Sequence, residues 1–189
     1  MKRLLTAALV AALAAAPAGA DEFTDVIQDA LDAYADGDVK VATEELEYAM
    51  QLLGGMKAES LARFLPDAQP GWTREDATEA DAEGAGMAMA MFGGGTTAAA
   101  TYRRGDEEMT ITLVADSAMV TGIGAMLTGM AGIGGGKPIR IQRTQFAMNE
   151  GELQGVVDGE VLVSVSGNAS VEDKTAHLEA MDFGALADF

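Results

Sequence analysis

The apolar residues of this 189-residue chain change period near Gly86, from 3.6 to 2, and the change dictates two kinds of structure in one molecule. From Glu22 to Gly54 they recur at helical spacing. Phe23, Val26, Ile27, Ala30, Leu31 and Tyr34 form one stripe, with Asp25, Asp29 and Asp32 away from it. Gly37 is placed to end that helix and Asp38 to cap the next, whose stripe is Val41, Ala42, Leu46, Ala49, Met50 and Leu53. Gly54-Gly55 is the expected stop, which gives a helical hairpin. Beyond Gly86, Met109, Ile111 and Leu113 alternate with Thr110 and Thr112, as a strand with one buried face requires.

The period-2 region resolves into hairpins. Segments 97–104 and 108–115 flank Gly105-Asp106, and segments 153–157 and 161–166 flank Asp158-Gly159. Ile139 and Ile141 begin a further strand that is expected to continue through Phe146 to Met148, with Asn149-Glu150-Gly151 as a turn. These make five strands, or six if 85–92 also pairs. A helix is expected over 117–131 from Met119, Ile123, Met126, Leu127 and Met130. A second begins at Ser170, where Asp173 completes a variant capping box, and presents Val171, Leu178 and Met181. The expected fold is α+β: a helical hairpin, then a two-layer antiparallel sheet with helices on one face, in βββαβββα order. Its divisions are a signal peptide over 1–20, the hairpin over 21–55, an acidic linker or loop over 56–86 and the sheet domain over 87–189.

Within the hairpin, Ala30, Tyr34, Gly37-Asp38, Ala42, Leu46 and Ala49 stand at spacings that resemble one tetratricopeptide-type repeat. Small residues there let two antiparallel helices approach closely. The likeness covers about 20 residues, and roughly three stacked repeats make a stable array, so a lone hairpin is expected and no peptide-binding role is carried over. In the linker, Trp72 is the only tryptophan, expected to anchor the loop to the core. Trp72 and Tyr34 are also the aromatic candidates for touching a partner.

The chain opens Met1-Lys2-Arg3, runs apolar from Leu4 to Ala16, breaks at Pro17 and reads Ala18-Gly19-Ala20 before Asp21. That is a secretory signal with cleavage expected after Ala20, and its apolar run of about 13 residues falls short of the roughly 20 that cross a bilayer. The expected location is the periplasm, with no integral span after cleavage. With no cysteine, stability must come from an apolar core and not from disulfides. The formal net charge is −18. Without Lys2 and Arg3 it falls to −20, which repels nucleic acid and anionic lipid and favours a cationic ligand or a basic partner.

Reactive groups are few. Cysteine chemistry is excluded, and His177 is the only histidine, so multi-histidine zinc sites are excluded too. His177 is expected as a solvated residue of the last helix. Gly134 to Lys137 lacks the first glycine and the hydroxyl residue of a phosphate loop. Asp32 to Gly37 lacks the third and twelfth ligands of a calcium loop. The metal candidate is Met87, Met89 and Met91, which on a strand project from one face as soft thioethers suited to Cu(I); core packing is the competing reading.

As a whole the chain resembles small uncharacterised exported proteins of Gram-negative bacteria, through Pro70-Gly71-Trp72, Tyr102 to Asp106 and the Val161 to Asp173 segment. The resemblance implies a periplasmic setting and no particular activity. The expected function is a non-enzymatic periplasmic binding or interaction module with no cofactor. The alternatives are a methionine-based Cu(I) protein and a carboxylate-dependent hydrolase.

Overall fold

A computed structural model describes residues 18–77, 94–118, 120, 122 and 138–189. The protein divides into two compact units, Met1–Leu53 and Gly54–Phe189.

Helix α1 spans Ala18–Ala35 and α2 spans Val39–Ala62. The first unit holds α1 and the first part of α2, whose last turns belong to the second unit. Gly37, at φ 84, takes the left-handed conformation that only glycine enters without strain, and the Asp38 amide reaches back to the Ala33 carbonyl at 2.9 Å. The Asp38 carboxylate then accepts from the Val41 amide at 3.1 Å, capping α2. Gly54-Gly55 does not stop the helix, which continues to Ala62. The chain leaves the helix ahead of Pro66, and the Arg74 guanidinium reaches the last helical carbonyl, that of Ala62, at 3.5 Å as well as those of Leu65 at 2.9 Å and Pro66 at 3.2 Å.

The second unit is built on seven strands. They are β1 (Thr73–Asp76), β2 (Thr96–Arg104), β3 (Glu107–Ala115), β4 (Ile139–Ile141), β5 (Thr144–Asn149), β6 (Glu152–Val157) and β7 (Val161–Gly167). Their order in the sheet is β1-β2-β3-β7-β6-β5-β4, antiparallel throughout. Helices α3 (Val171–Glu179) and α4 (Phe183–Leu186) follow. The α+β class and the N-terminal helical pair thus stand, with a larger sheet than expected. Strand β1 falls inside the segment read as a linker. The single strand read from Ile139 to Met148 is two strands, folded at Gln142-Arg143. The segments 85–92 and 123–131 lie outside the described residues, as do 1–17.

Register explains the core. Tyr102 pairs with Met109, Ala100 with Ile111, Ile111 with Val165, Val165 with Leu153, and Gly155 with Phe146, so one face of the sheet collects most of the large apolar strand residues. Leu61, Leu65, Trp72, Leu178, Met181, Phe183 and Leu186 pack against that face, and all are buried. The other face carries Thr101, Thr110, Thr112, Ser164 and Ser166, half-exposed hydroxyls that need no partner beyond water or each other.

Candidate interaction face on the helical pair

In the sheet unit the imidazole, the buried ammonium and the buried phenol among the described residues are engaged in holding it together. His177, expected at the surface, is fully buried. Its Nδ1 lies 2.9 Å from the Asp173 carbonyl and its Nε2 accepts from the Gln69 amide at 3.3 Å, so the ring is a neutral Nδ1–H tautomer with both nitrogens occupied. Burial pushes its pKa down, against the opposing pull of the Asp173 carbonyl. The Trp72 and Tyr102 rings meet it edge-on, with centroids 5.3 Å and 4.9 Å away. Sequence held a signal for this. Lys174, His177, Leu178 and Met181 recur at i, i+3, i+4, i+7, so the stripe read from Leu178 and Met181 already included both polar residues.

Lys174 is buried as well, its ammonium donating to the carbonyls of Gly151 at 2.6 Å and Gly167 at 2.7 Å. Burial lowers its pKa. Tyr102 donates to the Pro66 carbonyl at 2.6 Å, and burial raises its phenol pKa. Asp173 receives Arg104 as a fork at 3.0 and 2.8 Å and lies below the usual carboxylate range, first through the Ser170 hydroxyl and then through Arg104. Arg104 also sits 4.5 Å from the centre of the Trp72 ring. Trp72, a candidate for touching a partner, is therefore corrected: it is 7% exposed and has His177 and Arg104 against its ring. It is the anchor that the loop reading expected.

A recess of about 390 Å³ lies beside strand β4, lined by Pro138, Ile139, Arg140, Arg143 and Gln145. Arg140 and Arg143 are exposed and have no carboxylate partner among the described residues. Charged side chains on a three-residue edge strand are a common guard against edge-to-edge pairing, which suffices to explain them. Met87, Met89 and Met91 lie outside the described residues. Among the described residues, no cluster of three or more His, Cys, Asp or Glu side chains that could hold a metal ion forms, and no helix is long and apolar enough to cross a membrane.

The helical pair is different, because its apolar surface is left over. Val26 and Ala30 of α1 and Ala42 and Ala49 of α2 are buried, and these small side chains form the seam between the helices. Tyr48 donates to Glu22 at 2.7 Å, tying the open ends. Beside the seam, Leu31 is 57% exposed, Tyr34 69%, Val39 62%, Leu46 49%, Met50 73% and Leu53 43%. At about 100° per residue, the exposed stripe follows the buried one by roughly a quarter turn on each helix, in the direction of the chain. Since the helices run antiparallel, the same sense of rotation brings both stripes to one side of the pair. The result is an apolar patch of six exposed side chains on one side of the pair, a grouping of the kind found at interaction sites. Tyr34, the other aromatic candidate, lies on this face. The chain matches no family model, no curated protein and no solved structure.

Proposed function

We propose that the protein is a non-enzymatic interaction module of the periplasm, exported by its signal segment, that docks a partner on the apolar face of its helical pair. The observation that carries this reading is the exposure of Leu31, Tyr34, Val39, Leu46, Met50 and Leu53 on one side of two helices whose fully buried residues are Val26, Ala30, Ala42 and Ala49. Leaving such side chains in water costs roughly 1.5 to 3 kcal/mol apiece relative to burial, a cost that a docking surface recovers on binding. In the sheet unit the imidazole, the buried ammonium and the buried phenol are each engaged by backbone groups. That engagement supports a scaffold role for a sheet roofed by helices in two layers.

Site-specific photo-crosslinking in the producing cell tests the reading. A benzophenone side chain at Met50 should give a discrete adduct, and the same group at Asp29, on the opposite side of the pair, should give none. Equal adducts from both positions, or none from either, would sink the proposal.

A further inference from the structure

The charge around the apolar face says what kind of partner it takes. Between Asp21 and Glu47 the helical pair carries ten carboxylates and one cation, Lys40, a net charge of −9. Lys40 is already engaged, 3.4 Å from Glu44. Both flanks of the apolar stripe are acidic. On the α1 side Gln28 donates to Asp32 at 2.9 Å, just beyond Leu31. On the α2 side Glu47 stands about 60° beyond Met50. An apolar strip between two acidic margins is the complement of an amphipathic helix with basic flanks.

We infer that the occupant of this face is a cationic amphipathic helix belonging to a partner protein. The inference rests on the interaction-module reading. The partner's apolar stripe lies along Leu31, Tyr34, Leu46 and Met50, and its lysines or arginines reach Asp32 on one flank and Glu47 on the other. Met50, unbranched and the most exposed of the set at 73%, adapts to whatever apolar side chain meets it. A second copy of the chain is disfavoured, because it would bring together two pairs of the same −9 charge. An anionic lipid surface is disfavoured for the same reason.

Fluorescence anisotropy on the mature full-length protein tests this with three synthetic peptides of roughly 18 residues, about five helical turns. The first has leucines at i, i+3, i+4, i+7 with lysines elsewhere, the second replaces every lysine by glutamate, and the third scrambles the first. The lysine amphipath should bind, and the glutamate and scrambled peptides should bind on the order of 10-fold more weakly or not at all. The triple variant Leu31→Gln/Leu46→Gln/Met50→Gln, which leaves net charge untouched and alters only exposed side chains, should lose on the order of 10-fold in affinity. Unchanged circular dichroism confirms its fold. Glu47→Gln with Asp32→Asn should weaken binding several-fold, and added salt should do the same. Equal binding of the scrambled peptide, or binding that survives the triple variant, overturns the inference as mere charge attraction. If the glutamate amphipath binds as well as the lysine one and the triple variant abolishes both, the partner class falls while the interaction face stands. The partner class falls in the same way if no peptide binds but crosslinking at Met50 succeeds. A dimer in sedimentation that the triple variant dissociates replaces the partner by a second copy.

Discussion

At the scale of single residues, the sheet unit is held by polar groups buried neutral or fully bonded. His177 is neutral in the fold, where burial depresses its pKa below the ordinary value of 6.5. Below that value the unfolded chain binds a proton that the folded chain refuses. Stability from this group is therefore complete above about pH 6.5 and declines as the pH drops, by up to about 1.4 kcal/mol per unit until the folded pKa is reached. The urea midpoint should fall between pH 7.5 and 5.5, and His177→Phe should flatten that dependence while lowering the midpoint throughout, since the Gln69 amide loses its acceptor. A slope unaltered in His177→Phe would assign the acid sensitivity elsewhere. Lys174 poses the opposite question, because its ammonium joins the Gly151 turn to the end of β7 through two carbonyls. Lys174→Met keeps the packing stem but strands both acceptors, so chemical denaturation should show a loss of about 1 to 3 kcal/mol. No loss would mean that ion burial cancels the two bonds.

At the scale of elements, Gly155 shows how strand pairs are fitted to each other. A Cβ there would sit 2.8 to 2.9 Å from the Phe146 ring of the neighbouring strand, and that ring in turn stacks on Phe183 at 5.9 Å. Gly155→Ala should cost about 1 to 3 kcal/mol by overpacking, read as a lower urea midpoint. Combining it with Phe146→Leu should cost less than the sum of the single changes, because the smaller side chain yields room. Strict additivity would show that the ring moves freely. Elements with local rules were legible from sequence: Gly37-Asp38 between helices, Asp158-Gly159 between strands, and Ser170 with Asp173 at the start of α3. The fold at Gln142-Arg143 was not, since neither residue is a turn former. Gln142 holds φ 54 while its side-chain amide donates to the Met181 carbonyl at 2.7 Å, a partner far along the chain. Strand β1 was masked by its acidic composition, which Arg103 offsets by pairing with Glu75. The burial of His177 was readable from its place in the stripe of Leu178 and Met181, but the Trp72 and Tyr102 rings against it were not, because periodicity does not connect distant segments. The apolar stripes of the helical pair were readable, but not their division. Val26 and Ala30 turn to the seam while Leu31 and Tyr34 do not, because the close approach of two helices selects small residues over large ones.

At the scale of the molecule, the two units differ in what holds them. The core cluster of the sheet unit begins at Leu61 and draws on six of the seven strands and the helices after them. Within the first unit, which ends at Leu53, the helical pair fully buries only Val26, Ala30, Ala42 and Ala49, side chains too small to offset the ordering of α1 and the first part of α2 by much. Short helices gain most of their stability from packing an apolar face, and here the larger apolar face is open. The helical pair should therefore unfold before the sheet. Trp72 makes the difference measurable, because the only tryptophan of the chain is buried in the sheet unit. On heating, helical circular dichroism should begin to fall at a lower temperature than the tryptophan emission shifts. The lysine amphipath, by covering the open face, should move the early transition upward and leave the later one in place. Coincident transitions without peptide would show the helical pair to be as firmly held as the sheet, and the open face would then lack the stability deficit that a docked helix is expected to relieve.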